Sequence, residues 1–140
     1  MSRRTSNPRR GRASAPAPSP SCPCGLPETY DSCCGRFHRG EAAAPTAEAL
    51  MRSRYAAFVT LNEEYLRRTW HPRTRPALLD LDPAMRWTGL EILGTADGTA
   101  FHSTGTVTFR ASFKGGSLHE RSRFERVEGA WVYVDGEFLD

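Results

Sequence analysis

Four cysteines lie within thirteen residues of this 140-residue chain, and the sequence contains no other cysteine. They form two pairs, Cys22-Pro-Cys24 and Cys33-Cys34, which are separated by eight residues. Thiolates at such short spacing can surround one zinc ion, and a segment too small for its own hydrophobic core folds when it is tied to that ion. The sequence therefore predicts a small zinc knuckle at residues 21–40.

Two alternatives to a four-thiolate site stay open at this point. Disulfide bonds would place the protein outside the cytosol, but neighbouring cysteines bridge poorly, so both bonds would cross between the two pairs under tight constraint. His38, four residues after Cys34, could replace one thiolate as a ligand, or stay beside the site or in solvent as a non-ligating histidine. Zinc held by four thiolates has no open coordination position, so we expect it to be structural.

The basic charge of the chain is concentrated at its N-terminus. The formal net charge is +3, yet residues 1–21 contain five arginines and no acid, so the rest of the chain carries −2 once those charges are subtracted. Proline, serine and alanine dominate this segment, which predicts a disordered basic tail over residues 1–20 that makes weak, nonspecific contacts with nucleic acid. No apolar run reaches the length of an export signal or a membrane span, so we expect a cytoplasmic protein without membrane contact.

The segment that follows the knuckle has helical periodicity. Thr46 is placed to cap a helix, whose apolar face includes Met51, Tyr55 and Phe58, whereas Arg52 and Arg54 fall off that face.

A capping box of Thr60 and Glu63 predicts a second helix that ends at Pro72. We expect a short helical turn at residues 77–81 before the chain changes its period.

From residue 86 onward the apolar period is two, which is typical of strands. Alternation over residues 100–114 predicts a long strand with one buried face that begins at Phe101. Turns at residues 115–116 and 128–129, with an earlier strand at 87–93, complete a meander of about four antiparallel strands. The sequence thus predicts an α+β domain at residues 41–140, in which a curved sheet wraps the helices. With 39% hydrophobic residues, the chain can supply its core.

Two sets of residues resemble known families. The Cys-Pro-Cys-Gly run at 22–25 and the later Cys-Cys pair look like the SEC-C zinc motif, which implies contact with a protein partner through the knuckle. The longer stretch resembles the YchJ-like family of bacterial proteins, with matching runs at residues 51–58, 65–66, 69–72, 119–122 and 131–136. This second resemblance implies a nuclear transport factor 2-like cone, a fold that hosts isomerases, dehydratases, hydrolases and noncatalytic binding domains, and that often dimerises through its sheet.

The concave side of such a cone leaves a pocket, for which Tyr55, Trp70 and Glu120 are the candidate lining residues. Glu120 shares a strand face with Leu118 and Phe124, so an apolar site would raise its pKa and suit it to act as a general base. The alternative is a structural ion pair with an arginine. His119 points to the opposite face, which argues against a dyad of His119 with Glu120.

Three classes of function remain open. The first is a zinc-stabilised adaptor that binds a protein partner through the knuckle. The second is a small-molecule-binding protein, or an isomerase- or dehydratase-type enzyme, that uses the cone pocket. The third is nucleic-acid binding through the basic tail and the knuckle. The glycines form no phosphate-binding loop and no serine-histidine-aspartate order is present, so the sequence carries no stronger catalytic signature.

Overall fold

The computed structural model of the chain describes residues 19–140. The expected basic tail at residues 1–20 therefore lies almost entirely outside the described residues. Among those described, none of the helices combines the length and the hydropathy that a membrane span requires.

The knuckle consists of a tight backbone loop and one short helix. A bridge between Ser21 and Thr29 closes the loop, and the amide of Cys22 donates to the carbonyl of Glu28. Helix α1 (Cys34–His38) follows directly. The cysteines therefore sit at the loop turn and at the start of α1.

The central helix α2 (Ala47–Val59) begins as the sequence predicts. The side chain of Thr46 accepts a hydrogen bond from the amide of Ala49 at 3.0 Å, which satisfies one of the unpaired donors of the first turn. Met51 and Tyr55 are buried against the sheet as expected. Arg54 is also buried, with only 4% of its surface exposed, so its placement off the buried face was wrong.

The predicted capping box at the second helix is wrong. Helix α3 (Glu63–Arg68) is capped by Asn62, whose side chain accepts from the amide of Tyr65. The hydroxyl of Thr60 donates instead to the carbonyl of Ala56 in the preceding helix. Leu61 takes a left-handed φ of 57°, which separates the two helices and moves the cap two residues along the chain.

An irregular segment joins α3 to the sheet over residues 69–86. The expected helical turn at residues 77–81 does not form. The segment is held to the last strand, because the amide of His71 donates to the carbonyl of Tyr133, and the hydroxyl of Thr74 donates to the carbonyl of Val134. It therefore runs along one rim of the sheet.

Four strands form the antiparallel meander that the sequence predicts. They are β1 (Trp87–Asp97), β2 (Thr104–Phe113), β3 (Gly116–Val127) and β4 (Ala130–Phe138), and they pair in chain order. The alternation in β2 is confirmed, since Val107, Phe109 and Ala111 are buried. Phe101, however, is 96% exposed, so the strand begins at Thr104 rather than at residue 100 as predicted.

The main core lies between α2 and the concave face of the sheet. Fully buried Leu50 and Phe124 are part of it, and burying side chains of this size stabilises a fold by about 1.5–3 kcal/mol each. The indole of Trp131 closes one end by donating to the carbonyl of Pro45 at 3.2 Å. The sheet thus curves around α2, and the space beyond this core opens into a cavity.

Candidate functional site

The four cysteines converge on one point. Each offers its Sγ atom, and these sulfurs all lie within 4.8 Å of one another. All four residues are at most 5% exposed, and all four thiols are free of disulfide bonds. A set of four buried sulfurs at this spacing can hold a single metal ion.

The pKa values of the thiols are shifted in opposite directions. The pKa of the Cys24 thiol is lowered to about 5, chiefly by a hydrogen bond with Cys34, even though burial acts in the opposite direction. Burial and a hydrogen bond with Cys24 raise the pKa of the Cys33 thiol to about 12, and the pKa of Cys34 is raised mainly by its bond to Cys24. Negative charge at Cys24, surrounded by three further sulfurs, suits a divalent cation that prefers thiolates.

The knuckle is anchored to α2 through both polar and apolar contacts. Arg52 donates from Nη1 to the carbonyl of Cys24 at 2.7 Å, and its Nε pairs with Glu48 at 3.0 Å. Ala56, which has no exposed surface, packs against the cysteine cluster. The cysteine cluster therefore lies against the same helix that packs on the concave face of the sheet.

The structure places His38 outside the sulfur cluster. Its ring is buried, its Nδ1 lies 2.6 Å from the hydroxyl of Tyr30, and its Nε2 lies 2.8 Å from the carbonyl of Ser53. Because a carbonyl only accepts, Nε2 carries the proton and Nδ1 accepts from Tyr30. Both nitrogens are thus engaged with protein groups, and burial lowers the pKa of the ring. The solvated histidine considered from the sequence is not what the structure shows.

A cavity of about 330 Å³ lies between α2, the concave face of the sheet and the irregular segment. The three pocket candidates from the sequence, Tyr55, Trp70 and Glu120, all line it. Most of its wall is apolar or aromatic: it includes Met51, Tyr55, Phe58, Leu81, Met85, Trp87, Phe109 and Leu118. The cavity is of the size and character that small-molecule sites have.

Arg54 is the principal charged group of the cavity, and the sequence pattern missed it. Its Nη1 donates to the carbonyl of Leu66 at 2.9 Å and to the hydroxyl of Thr69 at 2.7 Å. Its Cζ lies 4.9 Å from the ring centroid of Trp70 and 4.7 Å from that of Tyr133. Burial lowers the pKa of this guanidinium to about 10, which still leaves it charged at neutral pH.

Glu120 faces the cavity from β3, as its strand position predicts. The hydroxyl of Ser122 donates to its Oε2 at 3.2 Å, and burial raises the pKa of the carboxyl group. Arg54 and the hydroxyl of Tyr133 act in the opposite direction without cancelling that effect. Within residues 19–140, Glu120 makes no ion pair with an arginine at 4.0 Å or less. The structural ion pair considered from the sequence is therefore not formed.

Gly136 provides room for that carboxylate. A Cβ atom built at this glycine would meet Oε2 of Glu120, and it would lie 3.2 Å from the carbonyl of Arg121. The side chain of Glu120 thus occupies the space that any larger residue on β4 would need.

Trp70 leaves one polar atom without a partner. Its indole Nε1 is buried and finds no hydrogen-bond acceptor within the described part of the chain. The ring itself is fixed edge-on against Tyr133, with 5.0 Å between centroids. His71, by contrast, does not line the cavity; its Nε2 lies 3.5 Å from a carboxylate oxygen of Glu125. His119 points away from Glu120, as expected, and contacts the carbonyl of Asp140.

The fold and the site define a class of protein: a cysteine knuckle that can hold a metal ion, joined to an α+β cone with an internal cavity. Residues 46–136 match the family model described as "YchJ, middle NTF2-like domain". The chain belongs to this family, and the nuclear transport factor 2-like fold expected from the sequence is confirmed.

Relatives in several bacteria share most of the chain. A UPF0225 protein of Streptomyces coelicolor is 81% identical over 119 residues, which cover 85% of this chain and 96% of that protein. A UPF0225 protein of Deinococcus radiodurans is 50% identical over 119 residues, which cover 81% of this chain and 86% of that protein.

Two solved structures of SEC-C motif containing proteins have the same fold. The solution structure of the Rhodopseudomonas palustris protein has a TM-score of 0.74 at 38% identity and covers 85% of this chain and 98% of that one. The crystal structure of the Psychrobacter arcticus protein has a TM-score of 0.65 at 31% identity, with coverage of 85% and 80%. The resemblance of the cysteine pattern to SEC-C proteins is thereby confirmed.

Proposed function

We propose that the protein binds a small amphipathic molecule in the cavity of its cone, and that a structural zinc ion holds the knuckle against α2. The observation that carries the first part is the buried, charged Arg54 in the apolar-walled cavity. A guanidinium in such a place is costly to desolvate, and a protein retains it most readily where it recognises a ligand. No reaction is assigned, and Glu120 stays a candidate general base.

The donor set supports zinc as the metal. Four thiolates favour zinc over the hard cations, and four protein ligands fill its tetrahedral shell. Because no position stays open for substrate, the ion stabilises the fold rather than activating water. Elemental analysis of protein purified under reducing conditions tests this part: we expect one zinc per chain, and its loss in Cys34→Ser. Protein that is fully folded without bound metal would contradict the proposal.

A cavity-filling variant tests ligand binding. Leu118 lines the cavity, so Leu118→Trp should fill it, whereas Leu93→Trp makes the same change at a side chain that does not line it. We expect ligand-observed NMR with a library of small amphipathic molecules to detect binding to the wild type and to Leu93→Trp but not to Leu118→Trp. Absence of any binder to the wild type, or equal binding to both variants, would overturn the proposal.

The other functions considered from the sequence stay predictions. The sulfur cluster packs inward on α2, which supports stabilisation of the fold as the purpose of the knuckle more than display to a protein partner. The proposed nucleic-acid contact falls on residues 1–20. On the outer face of the sheet, three arginines lie within ion-pair distance of acids: Arg110 with Glu91, Arg121 with Glu137 and Arg123 with Asp135. Such pairing reduces the basic character of that face.

A further inference from the structure

We infer that the ligand carries a carboxylate, which pairs with Arg54 at the floor of the cavity while its apolar part lies among the aromatic wall residues. This inference rests on the proposed ligand-binding function. It concerns the chemical class of the ligand, which an apolar cavity alone would not define. Among the described residues, three features of the cavity support it: Arg54, which makes no ion pair, the unpaired indole donor of Trp70, and the position of Glu120.

The charge of Arg54 lacks a counterion in direct contact. Within residues 19–140 this guanidinium makes no ion pair with an acid at 4.0 Å or less, and only its Nη1 donates hydrogen bonds to protein groups. Its Nε and Nη2 are thus available, and these two donors match the two oxygens of a carboxylate. Buried charges in proteins are normally paired, so an anionic group in the cavity completes the site.

Trp70 supplies a second observation that points to an acceptor. Its Nε1 is a buried donor without a partner, and its ring lies against the same guanidinium and lines the same cavity. A buried donor left unsatisfied costs about 1–3 kcal/mol. Because almost none of the surface of Nε1 is accessible, a ligand oxygen near Arg54 satisfies this donor only after the indole turns toward the cavity.

Glu120 makes the preference depend on pH. A bound carboxylate beside Glu120 is tolerated only when Glu120 keeps its proton, because two negative charges in one apolar site repel each other. Burial already raises the pKa of Glu120, and a bound anion would raise it further. The titratable and charged groups that line the cavity are Arg54 and Tyr55 from α2, Asp80 and Asp82 from the irregular segment, Glu120 from β3 and Tyr133 from β4. Asp80 and Asp82 are exposed to solvent, which screens them.

Matched acids and amides test the inference in the wild-type protein. The probes are phenyl- and alkyl-substituted carboxylic acids of about six to fourteen heavy atoms, each compared with its primary amide, which has the same shape without the charge. We expect each acid that binds to do so about 10-fold or more tightly than its amide. Equal affinity, or tighter binding of the amides, overturns the inference while leaving the proposed function intact. If neither acids nor amides bind, the proposed function itself fails, and this inference with it.

Variants at Arg54 and Trp70 assign the preference to residues. In Arg54→Met the preference for acids should disappear, whereas Arg110→Met, the same change at an arginine on the outer face of the sheet, should leave it unchanged. If Arg54→Met does not fold, Arg54→Lys takes its place in the test. Arg54→Lys keeps the charge and should keep part of the preference for acids. Trp70→Phe removes the indole donor while keeping an aromatic ring, and it should reduce acid affinity more than amide affinity. A preference for acids that survives in Arg54→Met contradicts the inference, as does a preference that is undiminished in both Arg54→Lys and Trp70→Phe.

Discussion

Arg52 donates a 2.7 Å hydrogen bond from its Nη1 to the backbone carbonyl of Cys24, 28 positions earlier in the chain. This contact ties the turn that carries two of the four sulfurs to the middle of α2. The same helix presents Arg54 to the cavity, two residues later. One helix therefore supports both the cysteine cluster and the cavity, so a structural change in the knuckle can alter the cone.

Removal of the Arg52 anchor should destabilise the protein. Arg52→Met loses the bond to Cys24 and the pair with Glu48, and a lost hydrogen bond of a charged group costs about 1.5–3 kcal/mol. We expect a lower Tm in a thermal unfolding experiment. Glu48→Gln is the matched control, because it removes the helical ion pair alone and should cost about 0.5 kcal/mol or less. Equal effects of the two variants would show that the contact with Cys24 contributes little.

Metal removal should unfold the knuckle before the sheet. The loop and α1 contain few apolar residues besides the cysteines, so they depend on the ion for stability. After treatment with a strong chelator under reducing conditions, we expect rapid amide hydrogen exchange over residues 19–40 and four thiols that react with a thiol reagent. The amides of β2 and β3 should stay protected. Uniform loss of protection across the chain would instead mean that the cone cannot fold without the metal.

Those features of the fold that depend on local patterns were predictable from the sequence. The short cysteine spacing keeps the four sulfurs close together. The Thr46 cap depends only on the first turn of α2, and the alternation in β2 follows from the burial of one strand face. Glu120 was placed in the cavity for the same reason, since strand alternation decides which way its side chain points.

Features that depend on tertiary contacts were not predictable in this way. Arg54 lies three residues after Met51 and four before Phe58, which is the spacing of the buried face, but its charge led to its assignment to solvent. Thr69 and Trp70, which follow α3, and Tyr133 of β4 bury it. Phe101 continues the alternation of β2 but lies in a loop.

That loop is fixed by a side chain from a different strand. Arg126 of β3 donates to the carbonyls of His102 and Ala100. These contacts join residues far apart in the sequence, so a local sequence pattern does not predict them.

An added methyl group at Gly136 should disturb the carboxylate site. In Gly136→Ala the new Cβ would collide with the side chain of Glu120, and overpacking of this kind costs about 1–3 kcal/mol. We expect a lower Tm together with weaker binding of cavity ligands, measured on the same preparation. Gly94→Ala is the control, because a Cβ there would meet nothing within 4 Å. Unchanged binding in Gly136→Ala would indicate that Glu120 moves aside at no cost to the site.

Glu120→Gln should stabilise the folded protein at about pH 7. Burial raises the pKa of Glu120 above its ordinary value of 4.5, so the folded state holds this proton more tightly than the unfolded chain does. Below that ordinary value both states are protonated and the residue costs nothing; as the pH rises through the interval up to the raised pKa, the unfolded chain ionises first and the wild type loses stability.

Thermal unfolding across this pH range checks the sign. The Tm gain of Glu120→Gln over the wild type should be present at about pH 7 and should vanish below 4.5. Glu91→Gln, at an exposed glutamate of β1, controls for loss of a surface charge. A lower Tm for Glu120→Gln than for the wild type at about pH 7 would mean that Arg54 stabilises the ionised carboxylate more than burial opposes it. The cavity floor would then hold its own counterion, and the need for an anionic ligand would disappear.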